Sequence, residues 1–409
     1  MATDGKRALH PHVGLRLALM AWSPSASAVR PSDRDFGATL GALPWGLILL
    51  LVAVACVGTA ALFSSTYTNP EEAALPARHA VRFGLSLILL LVIALVPIRV
   101  WLQAAWPAYF ITLAMLVGVE FFGVTRGGAQ RWLPLGFTAV QPSEFMKLAL
   151  TLALARYYHN NLTHQSGRLF IHLPPLLMII VPAALIFKQP DFGTTLALFA
   201  SGCVLIYLAG LWYRVIAAVA IAGLASVWPV YQFVLEPYQR ERVDTFLAQL
   251  TGQAVNTLDD GYQIEQAKIA IGSGGMQGRG FMEGIQAQLD YIPEQHTDFI
   301  LTVIAEEFGF LGATGLLLIW AVILVWGLYI AGRSVSLFGR FAAVGAVATV
   351  AFFILFNVAM VLGLVPVVGV PLPLVSYGGT VMFTTMACFG IVLSVHLGQK
   401  ERLVSQSGI

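Results

Sequence analysis

Residues Phe299 to Ala331 read FILTVIAEEFGFLGATGLLLIWAVILVWGLYIA, thirty-three positions with two charges, Glu306 and Glu307. A membrane-spanning helix needs about twenty mostly apolar residues, because the hydrocarbon core is ~30 Å thick and each helical residue rises ~1.5 Å. The run is longer than that, which predicts a span that tilts or extends beyond the bilayer. Nine further apolar stretches flank it: Leu43 to Phe63, His79 to Val96, Val100 to Val119, Pro142 to Tyr158, Leu173 to Phe187, Thr194 to Leu211, Val215 to Leu235, Ala342 to Leu364 and Val381 to Leu397. Together they predict an all-α membrane protein, a polytopic bundle of about ten transmembrane helices with a large loop between helices 7 and 8.

Composition agrees. Hydrophobic residues make up 58% of the 409 and charged residues 11%, too few to cover a water-soluble surface. The charges, 23 basic against 21 acidic, are too balanced for a nucleic-acid partner. Cys56, Cys203 and Cys388 all fall inside apolar runs, without metal-ligand spacing, and read as packing residues.

Residues 1–40 differ, with Lys6, Arg7, Arg16, Arg30 and Arg34 among Pro, Ser and Ala. Their one apolar patch, Leu15 to Trp22, is too short to span and lacks the layout of a cleavable signal. They read as a disordered basic arm before a transmembrane domain over residues 41–398 and a short tail over 399–409. Basic residues mark the inner side of a membrane protein. With the arm inside, the loops holding Arg99, Arg156 and Arg168, Arg214, Arg333 and Arg340, and Lys400 and Arg402 are cytoplasmic, as are both termini. The connections around Ser64 to Arg78, Gly123 to Gln141, Lys188 to Gly193, Glu236 to Thr297 and Pro366 to Gly379 then share the outer face.

The longest of these, Glu236 to Thr297, predicts an amphipathic helix over Gly261 to Ile271 and then the glycine-rich run Gly272 to Gly280. The G-x-G-x-x-G spacing fails after Gly274 and Lys268 precedes the glycines, so no nucleotide loop is formed. A hinge or a close backbone approach to a ligand explains so many glycines better.

The mouth of the eighth span reads PEQHTDFI, Pro293 to Ile300. Thr297 is placed as an N-cap with Asp298 in the first turn, where the helix dipole favours a carboxylate. Asp298 then has two readings: a helix cap, or a general base that can also hold a divalent cation beside a diphosphate. For His296 the plain reading is a solvent-exposed loop histidine. Glu306 and Glu307, costly in a span, need a cavity or a partner, an arginine being the structural choice. In QPSEFMK, Gln141 to Lys147, Pro142 suits the first helical position and Glu144 pairs with Lys147 at i, i+3. That pair is either architectural or a phosphate contact through Lys147. Arg131, beside Trp132, suits a phosphate or anchors the helix at the interface. The turns KQPDFGT, with Lys188 and Asp191, and PVVGVPLPLVSYGG, with Ser376, complete a set that predicts one shared cavity at the outer face. The second turn, rich in Pro and Gly, must be buried in protein or line a watery cavity.

The strings GGAQRWLPLG, QPSEFMKLAL, QPDFGTTLALF, GYQIEQAKIAIGSGGMQGRG, YIPEQHTDFILTVIAEEFGFLG and PVVGVPLPLVSYGGT, in order from about Leu43 to Leu397, resemble the SEDS family (shape, elongation, division and sporulation). They are more similar to its elongation members than to its division members. The resemblance implies ten helices in the bacterial inner membrane with the site facing the periplasm. It implies a peptidoglycan glycosyltransferase acting on lipid II and dependent on a divalent cation, Mg or Mn. The implied partners are a class B penicillin-binding protein that supplies transpeptidation and the membrane proteins of the elongation complex. Carried over residue by residue, the family's catalytic aspartate falls on Asp298, its acid and lysine on Glu144 and Lys147, and its loop arginine on Arg131. Lys188, Asp191, His296 and Ser376 join these as substrate-binding candidates. Two other functions use the same residues: a lipid II flippase without chemistry, and a non-catalytic scaffold for the growth machinery.

Overall fold

The computed structural model describes residues 36–126, 129–134, 139–165, 169–211, isolated positions between 221 and 233, and then 237–251, 260–289 and 291–407. The arm expected over residues 1–40 therefore lies outside the described residues up to position 35, and so does most of the seventh span. After a short helix α1 (Phe36–Gly41) come α2 (Trp45–Thr66), α3 (Leu75–Leu95) and α4 (Ile98–Phe122). A small antiparallel ribbon follows, β1 (Val124–Arg126), β2 (Ala129–Pro134) and β3 (Ala139–Val140), with Thr125 opposite Gln130 and Leu133 opposite Val140. It is the one departure from an all-helical chain among the described residues. Next are α5 (Pro142–Gln165), α6 (Leu173–Lys188) and α7 (Phe192–Leu208). The long connection holds α8 (Pro237–Leu250), α9 (Asp260–Gly274) and α10 (Ile285–Gln288), and the chain closes with α11 (Ile300–Gly332), α12 (Leu337–Val361) and α13 (Gly379–Ser407).

Among the described residues seven helices are long and apolar enough to cross a membrane. The fourth and sixth expected spans, α5 and α7, are helical as well; α5 carries Glu144, Lys147 and Arg156, and α7 is short at 17 residues. In lipid a helix gains nothing by hiding leucine, so what is inside decides the packing. The centre is α13, which lies against α3, α12 and α11, while α5 sits between α4 and α12. Polar side chains point inward: Ser86, Glu144, Lys147, Thr349, Asn357, Thr385 and Ser394 are all buried. Phe110, Ile111, Leu318, Val322, Val325 and Leu355 face outward. Of the cysteines, Cys388 packs in the core and Cys203 is partly covered, whereas Cys56 is exposed on α2, so packing accounts for the first two only.

The eighth span is not one tilted helix. At Gly309 the backbone takes φ 68° and ψ −166°, and the helical path breaks. A break in hydrocarbon must have its backbone groups satisfied inside the protein. The glycine-rich run does this. Phe310 N donates to Gly275 O (2.8 Å) and Leu311 N to Met276 O (3.1 Å), while Arg279 N and Gly280 N donate to Glu306 O and Glu307 O (3.0 Å each). The two backbones lie so close that a Cβ on Gly309 would stand 2.3 Å from Gly278 N, and one on Gly278 would stand 2.1 Å from Glu307 O. The glycines answer a close approach of the chain to itself. The expected amphipathic helix is α9, which buries Ile264, Ala267 and Ala270 beside α11. At the far end α13 continues to Ser407, so the segment read as a tail prolongs the last helix.

Candidate active site

The connections that the charge pattern puts on one side of the membrane meet at one end of the bundle. The turn over residues 363–379 joins them. Leu374 takes φ 61°, a left-handed backbone that a leucine adopts only where surrounding contacts hold it. Those contacts are present: Leu372 N donates to Ser376 Oγ (2.7 Å), His79 Nε2 meets Leu374 O (3.2 Å), and Arg242 Nη1 donates to Val367 O (3.1 Å). Ser376 thus closes the turn from inside, 2% exposed.

Asp298 lies against this turn. Helix α11 begins at Ile300 with Phe299 at its N-cap, so Thr297 is not the cap and Asp298 stands one residue before it. The reason is Glu294. Thr297 N, Asp298 N and Phe299 N all point at Glu294 O (3.1 to 3.3 Å), and the Thr297 hydroxyl donates to the Glu294 carboxylate (2.8 Å). Asp298 is half-buried, and a Cβ placed on Gly369, itself at φ 70°, would be 3.4 Å from Asp298 Oδ2. Asn357, fully buried on α12, donates its amide to Asp298 O (2.8 Å) and to Val370 O (2.7 Å). The carboxylate and the turn are therefore held in one register.

His296 is buried at 8%, not solvent-exposed. Its Nε2 meets Glu72 Oε2 at 2.5 Å, its Nδ1 meets Ser65 Oγ at 3.1 Å, and its carbonyl accepts from Tyr377 N at 2.8 Å.

On the other side of the turn, a Cβ on Gly193 would reach Val370 Cγ2 at 2.5 Å, so the start of α7 presses on the same loop. Asp191 is the N-cap of α7, accepting from Thr194 N (3.3 Å) and from Gln141 Nε2 (3.1 Å). Gln141 Oε1 accepts from Thr380 (3.4 Å), and one helical turn deeper Glu144 accepts from Thr384 (2.7 Å) and from Lys147 Nζ (2.7 Å). The expected i, i+3 pair is formed. Lys147 is fully buried and lies 4.2 Å from the centre of the Phe353 ring. Arg131 donates from Nε to Gln189 O (3.1 Å) and from Nη2 to Pro190 O, fastening the ribbon to the 188–193 turn.

Lys188 does not join this set. As the last residue of α6 it turns to Glu120 on α4, is 68% exposed, and edges a recess of about 280 Å³ with Thr125 and Gln130. Neither Asp298, Lys147 nor Ser376 lines that recess.

The carboxylates of Glu306 and Glu307, both buried, meet no arginine among the described residues. Glu306 accepts from Gln286 N (3.1 Å) and Ala287 N (3.3 Å) at the start of α10, and Glu307 accepts from the Ser64 hydroxyl. The roles of Asn357, Gln141, Thr384 and Glu72 are not legible in the sequence. Only Asn357 carried a local signal, an amide inside an apolar run.

Among the described residues no group of three or more His, Cys, Asp or Glu is placed to hold a metal ion. The chemistry of Asp298 still fits one mode of binding, in which Mg2+ takes a single carboxylate and completes its shell with substrate phosphates and water.

A broken eighth helix clasped by a glycine run, with a carboxylate at its mouth, buried polar pairs on neighbouring spans and a pinned Pro/Gly turn, is the frame of a multi-span membrane protein built around one end of its bundle. The family model for cell cycle proteins of the FtsW/RodA/SpoVE type matches residues 41–401, and the chain belongs to that family, the SEDS family of the resemblance. It is 38% identical over 354 residues to the peptidoglycan glycosyltransferase MrdB of Escherichia coli, covering 87% of this chain and 93% of that protein. To the probable peptidoglycan glycosyltransferase FtsW of Halothiobacillus neapolitanus it is 32% identical over 365 residues, 88% and 84% of the two chains. Among solved structures, a chain from a peptidoglycan synthase complex that coordinates polymerization and crosslinking superposes with TM-score 0.73 at 31% identity, covering 87% of this chain and 98% of that one. The rod shape determining protein RodA of Thermus thermophilus gives 0.64 at 28%, covering 87% and 96%.

Proposed function

We propose that this chain is a peptidoglycan glycosyltransferase that polymerises lipid II into glycan strands during elongation, at the periplasmic face of the bacterial inner membrane with both termini cytoplasmic. One observation carries the reading: the Asp298 carboxylate is held just before α11, partly open, against a turn that also receives the start of α7. That turn is where a sugar diphosphate bound from the lipid phase would find both a base and the buried polar network.

Asp298 accepts the proton of the acceptor sugar hydroxyl. The oxygen then forms a bond to the anomeric carbon of the donor, and the bond from that carbon to the lipid diphosphate breaks, its electron pair leaving with the diphosphate. Asn357 fixes the backbone of the base, so little reorganisation is needed when the proton moves. Arg131 uses two donors on carbonyls, and among the described residues its Nη1 is open to an anion. Lys147, committed to Glu144 in a pair without net charge, holds the buried frame together instead of touching the substrate. A divalent cation held by Asp298 and the diphosphate would supply charge neutralisation at the leaving group.

Lys147 and Glu144 are closed on each other and on Phe353, which favours a fixed catalytic frame over a passage for headgroups. The partner is a class B penicillin-binding protein, in keeping with the synthase complex that the fold resembles. The test is glycan formation from purified lipid II in detergent, where there is no bilayer to cross, with and without such a partner. Polymer in detergent supports the reading; translocation in vesicles without any polymer would replace it with transport.

A further inference from the structure

Glu72 lies in the connection between α2 and α3, a third exposed, and belongs to none of the motifs that carry the resemblance. It nevertheless reaches across the fold to His296, two residues before Asp298. The turn over residues 294–299 is one unit, because three successive backbone N–H groups converge on Glu294 O. A shift of His296 therefore shifts Asp298.

His296 is held on three sides: by Glu72 through Nε2, by Ser65 through Nδ1, and by Tyr377 through its carbonyl. Ser65 directs its own hydroxyl proton at Leu62 O (3.2 Å), which leaves its oxygen to accept from the ring. A carboxylate at a ring nitrogen makes a charge-assisted hydrogen bond, about twice as strong as a neutral one. Asn357 holds Asp298 O from the opposite side.

We propose that Glu72, acting through His296, is a positioning residue for the reaction: the clamp sets where the Asp298 carboxylate stands against the turn over residues 363–379. The proposal rests on the reading of Asp298 as the base. A displacement of roughly 1 Å can lower a rate by as much as 10²-fold, so loss of the clamp acts on turnover. Because Glu72 acts on the position of the base, KM is expected to stay constant. Because Glu72 is partly exposed on a loop, its replacement leaves the fold intact.

The experiment compares E72Q, E72D, H296Q and the double variant E72Q/H296Q in lipid II polymerisation by the full chain, with D298N alongside and thermal unfolding of each. E72Q is expected to lower kcat about tenfold with KM and unfolding temperature unchanged, and E72D to recover part of the loss. The double variant should be no slower than the slower single one, as for residues acting through one contact. An E72Q enzyme with wild-type kcat beside an inactive D298N removes the clamp and leaves the reading of Asp298 standing. A raised KM at constant kcat makes Glu72 a substrate contact and also overturns the proposal. D298N with wild-type turnover removes both.

Discussion

The side-chain amide of Asn357 donates to the backbone carbonyl of Asp298 at 2.8 Å, and its second N–H goes to Val370 at 2.7 Å. One buried residue on α12 thus fixes both the candidate base and the turn it faces. Asn357→Leu keeps the volume but removes both of these donated bonds, and a buried polar group deprived of its partner costs about 1 to 3 kcal/mol. The variant should unfold at lower temperature and polymerise lipid II at least tenfold more slowly, as measured by thermal unfolding and product gels.

The Glu144 and Lys147 pair behaves as a buried ion pair. Removing one partner strands a charge, at a cost on the order of 3 to 5 kcal/mol, whereas replacing both with apolar residues of similar size is often neutral. Lys147→Met should therefore be poorly folded, and the double variant Glu144→Leu/Lys147→Met should regain thermal stability while remaining inactive. A double variant that polymerises normally would make the pair purely architectural.

Backbone contact at Gly309 gives a steric prediction. Gly309→Ala puts a Cβ 2.3 Å from Gly278 N on a left-handed residue, so the glycine run must separate from the helix. Yield of folded protein should fall sharply, and protease cleavage between residues 272 and 280 should rise. Gly315→Ala, where a Cβ meets nothing within 4 Å, is the matched control and should be silent in both assays.

Chelation addresses the cation. The proposed divalent ion, with Asp298 as its protein carboxylate, is held mainly through the substrate. EDTA should abolish polymerisation without changing the unfolding temperature, and millimolar Mg2+ should restore it. A drop in unfolding temperature on chelation would instead indicate a structural metal site.

Much of this architecture is legible in the sequence because membrane spans and punctuated polar turns are local signals. The spans from α2 to α7 and from α11 to α13 fall where apolar runs predict them, and the Glu144 and Lys147 pair follows from helical spacing alone. Two local signals competed with stronger neighbours. Thr297 resembles a cap, but Glu294 captures its hydroxyl and gathers the following N–H groups, which moves the start of the helix to Ile300. Gly309 lies in an apolar run whose pattern is helical throughout; its break depends on a glycine run about thirty residues earlier in the chain. The remaining relations are between distant segments. Glu72 and His296 are 224 positions apart, and Lys188 pairs with Glu120 instead of turning to the 363–379 turn because α6 ends beside α4.

The most direct measurement is turnover of lipid II by purified Asp298→Asn protein, with substrate affinity measured in parallel. The substitution keeps shape and removes the base, so the expected result is retained binding and polymerisation lowered by at least a hundredfold. Polymerisation at the wild-type rate would contradict the assignment of Asp298 as the group that takes the proton.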